Sequence, residues 1–278
     1  TVKTATDSDK NTSETYQIRA LKIPSNLNFA GEKIPLEKAD IIERIDRELL
    51  VNTYWQSNGL LLIKRANKYF PIIEPILAKN GIPDDFKYLA VIESGLQDVT
   101  SPAGAKGFWQ IMPATAKENG LEVNSNVDER YHLEKATQVA CNYLNDAKNR
   151  FGNWTMAAAA YNAGNAGISR KINDQKVDDY YDLLLGEETK RYLPRIVAVK
   201  EILSNPDKYG FIFENEDLYY LEPTRFIEVD TVITDIALFS KNLGINYNIL
   251  KIHNPWLREN KLNNSSRKLY QIKIPSEI

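Results

Sequence analysis

A chain of 278 residues is long enough to bury the core of one large or two modest domains. With 43% hydrophobic and 26% charged residues it has the proportions of a globular protein, and a net charge of −2 without a long basic run argues against nucleic acid as a partner. No stretch reaches the length of a membrane span, and the single Cys141 excludes an intrachain disulfide.

Residues 1–15 are Thr, Ser, Asp, Asn and Lys with almost no apolar content, which reads as a disordered lead within an extended segment running to residue 28. The chain begins at Thr1 rather than Met, so the absence of a signal peptide carries no information. From 36 to 81 the pattern is helical. Ile41, Ile45, Leu49 and Asn52 or Thr53 make one stripe, Leu60 and Ile63 begin a second, and Tyr69, Phe70, Ile73, Ile76 and Leu77 make a third that stops at Gly81. A short helix is expected at 113–118, a longer one through Leu133, Ala136, Ala140, Leu144, Ala147 and Phe151, and an Ala-rich one at 154–163. Cys141 falls in the apolar stripe of the longer helix as a buried thiol. Gly164 and Gly167 give the chain after Asn162 freedom to approach a ligand closely. A last helix over 187–203 contains Pro194, which should kink or restart it.

The chemistry concentrates in 86–113, FKYLAVIESGLQDVTSPAGAKGFWQIMP. Pro83, Asp84 and Asp85 suit a helix start, and Phe86, Leu89, Ala90 and Glu93 then share one face. Glu93 thus sits on an apolar face in the last turn, just before Gly95 ends the pattern. Burial disfavours the charged carboxylate, so its pKa should rise and it can carry a proton near neutrality, as a general acid must. A Glu bonded to backbone or to an Arg is the bland alternative. Other chemistries lack parts: His132 and His253 are far apart, no Cys or His pair has zinc spacing, and Gly104 and Gly107 are not followed by the Lys-Ser/Thr of a phosphate loop. Neither metal nor cofactor is expected.

Glu93-Ser94, Ser101-Pro102-Ala103-Gly104-Ala105 and Gly107-Phe108-Trp109-Gln110-Ile111-Met112-Pro113, followed by Ala160-Tyr161-Asn162-Ala163-Gly164 and by Glu188-Thr189, Tyr192 and Pro194, resemble the ordered motifs of the soluble lytic transglycosylase superfamily. The form GFWQ, with FAGEKIPL at 29–36, is most similar to its membrane-bound type. The resemblance covers about residues 29–205. Ser101 lies eight residues after Glu93 where nine is usual, which puts the loop between them in question and not Glu93.

What the resemblance implies is a mainly α protein, with a lysozyme-like helical catalytic domain at 29–209 acting on peptidoglycan in the bacterial envelope or periplasm. Anchoring by a lipid outside the chain is left open, and a monomer is expected. It implies that Glu93 protonates the glycosidic oxygen between N-acetylmuramic acid and N-acetylglucosamine, that the substrate's acetamido group assists, and that Glu93 then deprotonates the muramyl 6-hydroxyl to close a 1,6-anhydro ring. Two-carboxyl glycosidases need a second acid at a set distance; Asp98 and Glu188 are the only nearby suspects. The resemblance gives Tyr161 a hydrogen bond to Glu93 or to the acetamido group, and Ser101 the positioning of that group. Gln110 and Met112 would line the scissile subsite, Asn162 would hold a neighbouring sugar, and Glu188 and Tyr192 would shape the far side of the cleft. Trp109 is either a sugar platform or core, and Ser94 is a helix-end hydrogen-bonder rather than a nucleophile. A goose-type lysozyme that hydrolyses and a silent peptidoglycan-binding scaffold are the rival readings.

From about Gly210 the texture turns to Tyr, Phe and β-branched residues. After an extended linker over 211–221, the order strand (226–229), helix (from Ile236), helix (243–250), strand (269–275) is similar to a LysM module, a small α/β peptidoglycan-binding domain, here at 210–278 with its linker. The usual Gly-Asp-Thr-Leu is replaced around Val232 to Asp235, so a packing appendage stands as the alternative.

Overall fold

Alanine-rich and amphipathic stretches dominate the chain, and the computed structural model, which describes residues 17–277, is accordingly mainly helical. The polar lead at 1–15 lies outside the described residues. The first element is a minimal hairpin, β1 (Asn28–Phe29) and β2 (Glu32–Lys33), turning at Ala30 and Gly31 with φ of 53° and 79°. Helices α1 (Ala39–Tyr54) and α2 (Gln56–Lys79) follow. The second and third stripes of the sequence belong to one helix, since α2 runs unbroken through Pro71 and Pro75. Its buried Leu62, Ile63, Ala66, Ile73 and Leu77 anchor it on both sides of the prolines, and packing outweighs the lost backbone bonds.

A 3₁₀ turn at Asp84–Phe86 leads into α3 (Lys87–Ser94), and α4 (Pro113–Glu118), α5 (Leu133–Phe151) and α6 (Trp154–Ala163) take the expected bounds. Residues 165–175 differ from expectation. They form α7 (Asn165–Gln175), so Gly167 is helical rather than a loop hinge. Its sequence, NAGISRKINDQ, is poor in strong helix formers and has only Ile168 fully buried, which is why periodicity missed it. Helix α8 (Glu187–Ser204) continues through Pro194 and is not restarted there.

Met156 to Ala160 of α6 are all buried, and these small side chains let α6 lie close against α5 and α8, while α1 and α3 also pack on α8. The hairpin fastens this bundle. Glu32 accepts from the N–H groups of Trp154 (2.7 Å) and Thr155 (2.8 Å) at the start of α6, and Ala30 N–H donates to Asp85 at 2.7 Å. Cys141 is fully buried in the main core, its thiol pushed up to about 12 by burial.

After residues 210–223, where the one regular turn is a 3₁₀ segment at Asn215–Asp217, come β3 (Thr224–Val229), α9 (Ile236–Asn242), α10 (Tyr247–His253) and β4 (Tyr270–Pro275). The two strands pair antiparallel, Thr224 opposite Pro275 and Val229 opposite Tyr270, as the strand–helix–helix–strand order anticipates. Their core is a second cluster built on Ile233, Ile236, Leu250, Leu257 and Ile272, and it takes in Val127 and Tyr131 from the helical part of the chain.

Candidate active site

Glu93 is placed by a short helix with two firm ends. Phe86, Leu89 and Ala90 are fully buried on the face it shares. Gly95, at φ 62°, closes the helix with an N–H bond to Val91 O (2.8 Å), in a backbone region where glycine carries no steric penalty. Ser94 does what its position suggests: its hydroxyl donates to Ala90 O and Phe108 O, tying the end of α3 to the loop that returns beside it. That loop is a tight double turn. Lys106 bridges to Thr100 and Ile111, and Gly107 donates to Val99 O at 3.0 Å. At Gly107 (φ 77°) an added Cβ would come within 2.2 Å of Arg130 O, so the position is closed to any side chain.

The Glu93 carboxyl has one direct partner among the described residues: the Tyr192 hydroxyl donates to Oε1. Burial pushes its pKa from 4.5 to about 7; the Tyr192 hydrogen bond and the more distant Arg195 pull it down, and the Glu188 carboxylate pushes it up. Tyr192 itself is held far above the ordinary tyrosine value by burial and by Glu93, so it remains a neutral donor. Glu188, Tyr192 and Arg195 recur at i, i+4 and i+7, one face of α8 turned to the acid. Arg195 in turn faces Glu48, a buried carboxylate that also takes Arg191 and Arg47, both at 2.6 Å.

The structure separates the remaining expected site residues. Tyr161 lies beside Glu93, close enough for the carboxylate to raise its pKa, yet its hydroxyl donates to Trp109 O at 2.7 Å and not to Glu93. Of the two bonds expected of Tyr161, to the acid or to an acetamido group, the one to the acid is made here by Tyr192, which had been given the cleft wall. Trp109 is core: it is fully buried with its indole N–H on Thr137 Oγ1 at 2.8 Å. Asn162 joins Glu188 (3.2 Å) to Thr189 (2.8 Å), so this group is brought together on the α6–α8 side. Ser101 folds back on its own turn, accepting from Ala105 N–H at 3.0 Å. Gln110, at φ 47°, donates to Val99 O and Gly107 O, and Met112 stands exposed at the start of α4. No hydrogen bond links Ser101, Gln110 or Met112 to Glu93 among the described residues. Sequence reasoning missed Arg195 and the bonding role of Tyr192; the 188–192–195 spacing was the available signal.

Chemically, a carboxyl titrating near 7, oriented by a neutral phenol, can give a proton at neutral pH and take one back. The described residues hold no group of three or more His, Cys, Asp or Glu arranged to bind a metal ion, and no helix among them is long and apolar enough to cross a membrane.

Residues 70–184 match the family described as Transglycosylase SLT domain, and residues 225–278 the Soluble lytic transglycosylase C-terminal LysM-like domain. The Membrane-bound lytic murein transglycosylase D of Escherichia coli (strain K12) is 34% identical over 190 residues, covering 66% of this chain and 41% of that protein, and its counterpart in a second Escherichia coli strain matches equally. The chain thus spans about two fifths of the length of these curated relatives. Among solved structures, an inactive mutant of the lytic transglycosylase Slt from Pseudomonas aeruginosa aligns over 55% of this chain and 26% of that one, with a TM-score of 0.39 and 19% identity.

Proposed function

We propose that this chain, which joins an SLT transglycosylase domain to a LysM-like domain and is homologous to membrane-bound lytic murein transglycosylase D, is itself a peptidoglycan lytic transglycosylase. The catalytic part is 29–209, and 210–278 is linker and module. The observation that carries the reading is Glu93, the one carboxyl on the buried face of α3, raised to about 7 and held by Tyr192.

In this reading Glu93 donates its proton to the β-1,4 glycosidic oxygen between N-acetylmuramic acid and N-acetylglucosamine. The Tyr192 hydroxyl occupies Oε1, which leaves Oε2 to carry the proton. As the bond breaks, the substrate's acetamido group stabilises the sugar cation. The new carboxylate is met by Tyr192 and by the positive charge of Arg195. It then takes the proton from the muramyl 6-hydroxyl, whose oxygen closes the 1,6-anhydro ring, and no water is consumed. A placed acid/base of this kind contributes roughly 10²–10⁴ in rate. Glu188 is already bonded by Asn162 and, close to Glu93, acts to keep that carboxyl protonated. Ser101, Gln110 and Met112 line the sugar side opposite α8 and Asn162 holds a neighbouring sugar, while Tyr161 secures Trp109 and so the loop wall. The place of action is the bacterial envelope, on glycan strands.

The test is the mass of muropeptides released from purified sacculi. Anhydro ends, lighter by one water than hydrolysed ones, are expected; hydrolysed ends would return the lysozyme reading, and no release would return the silent scaffold.

A further inference from the structure

Between α2, the loop after Glu93 and the C-terminal module lies a cavity of about 530 Å³, and a smaller one of about 330 Å³ adjoins it along α2. Neither is lined by Glu93, but both are lined by Asp98, Lys68, Tyr69 and Phe108. Phe108 carries the carbonyl that receives Ser94, so the acid and the cavity stand at two sides of one loop. The larger volume is that of a small-molecule site. Its walls are aromatic: Tyr69 meets Phe108 edge-on at 4.8 Å, and Phe226 and Trp256 face them from the module. The 218–222 segment runs past along α2, where Asn67 holds Tyr219 O at 2.9 Å.

Two charges shared by these walls have no ion-pair partner among the described residues. Among the described residues Asp98 makes no hydrogen bond and no ion pair; its charged neighbour is Arg258 of the module. It is surrounded by enough protein that its carboxyl is pushed up to about 6, though it keeps open surface, and at neutral pH it is mostly a carboxylate. Lys68 likewise has no ion pair among the described residues and lies only over the Tyr69 ring, at 5.4 Å. Of the other charges on the lining, Glu134 is matched with Lys273 and His132 and Glu222 with His253, while Arg65 donates to Gly95 O at 3.1 Å. Asp98 is exposed and Lys68 half-buried, so both charges stay open to groups of opposite sign on a ligand.

We propose that this junction cavity is a peptide site, taking a short peptide that offers an ammonium group to Asp98 and a carboxylate to Lys68, with its aliphatic parts against the aromatic walls. The assignment rests on the function proposed above in one respect: peptidoglycan carries such a peptide on its muramyl residues, so the site receives the side stem of the strand being cut. The C-terminal module then serves substrate recognition in place, as one wall of the site, through Phe226 and Trp256.

The probe is the free stem tetrapeptide L-alanyl-γ-D-glutamyl-meso-diaminopimelyl-D-alanine, titrated calorimetrically into the full chain. Wild type should bind it, and Asp98→Asn and Lys68→Met should each weaken binding about tenfold or more, because each removes one charge-assisted contact. No binding up to roughly 10 mM, or equal affinity in all three proteins, overturns the proposal. With glycan as substrate, the wild-type preference for peptide-bearing over peptide-stripped strands should fall about tenfold in Asp98→Asn; an unchanged preference overturns it too. Should the wild type cut neither glycan, the proposed catalytic function fails, while the tetrapeptide titration still decides this site.

Discussion

Replacing Glu93 by Gln should abolish turnover and, at alkaline pH, make the protein more stable. The amide cannot donate the proton, but it can still accept from the Tyr192 hydroxyl, so the packing is preserved. In the wild type the folded-state pKa of about 7 stands above the ordinary 4.5. The unfolded chain therefore releases this proton first, and stability falls as pH rises from about 4.5 through about 7. At 1.36 kcal/mol per pKa unit the gap amounts to roughly 3 kcal/mol, discounted to about 2 for the part of Glu93 that still meets solvent. A chain of this size shifts its Tm by about 2–4 °C per kcal/mol, so Glu93→Gln should melt several degrees above wild type at pH 9 and level with it at pH 4. The assay is paired thermal melts across pH with muropeptide release measured on the same samples. A melting difference that does not change with pH refutes the buried-acid argument, and near-wild-type release by the variant refutes the catalytic one.

Tyr192→Phe removes a bond that lowers the Glu93 pKa, so the alkaline limb of the pH–rate profile should move to higher pH while turnover drops about 10–100-fold and KM changes little; an unmoved limb would mean the phenol does not act on the acid. Tyr161→Phe deletes the bond to Trp109 O, and should cost about 1 kcal/mol in chemical denaturation with the limb in place; a shifted limb would restore the direct contact with Glu93. Truncation at Asp217 should lower Tm and reduce activity on short soluble oligomers as well as on sacculi, because Val127 and Tyr131 lose their cover at roughly 1.5–3 kcal/mol each; a truncated chain with unchanged melting and full activity on oligomers would show an independent tether.

Elements fixed by local physics were legible. The repeat through Phe86, Leu89, Ala90 and Glu93 located the acid because a face of α3 must be buried for the helix to exist, and the stop at Gly95 is a backbone requirement readable from one letter. Helices α4, α5 and α6 were legible for the same reason: their periodic stripes end at glycines that cap or follow them. What escaped was decided by partners distant in sequence. Tyr161 and Tyr192 are both tyrosines on helices facing the acid, and which hydroxyl reaches Oε1 depends on how α6 and α8 are seated. The loop carbonyl of Trp109 claims Tyr161 first. Asp98 gave no sign of its surroundings, since the cavity it lines is walled by α2, the 131–134 segment, the linker and the module, all distant from it in sequence.

The module is the clearest case of function set by docking rather than by motif. Its sequence offers a tethered glycan binder or a packing appendage, and a tether would need a mobile hinge with few contacts across it. The residues 122–134 supply the opposite. Val127 pairs with Leu257, Asp128 N–H donates to Trp256 O and Arg258 N–H to Asn126 O, each at 2.9 Å, so the loop is joined to the module by backbone bonds. Asn126 then uses both ends of its amide, giving to Lys261 O and receiving from Asn263 N–H at 2.8 Å each. Lys268 and Tyr270 close on Glu122, and Lys273 on Glu134, whose carboxyl is held at about 2 against burial by His132 and Lys273. With Val127 and Tyr131 inside the module's core, moving the module away would expose apolar surface and strip partners from buried amides and acids. A unit fastened in this way holds a fixed wall against the loop that carries Asp98. In the proposed peptide site its contribution is the shape and charge of that wall, and the altered turn at Val232 to Asp235 lies in a unit whose place is fixed by its contacts with the helical domain.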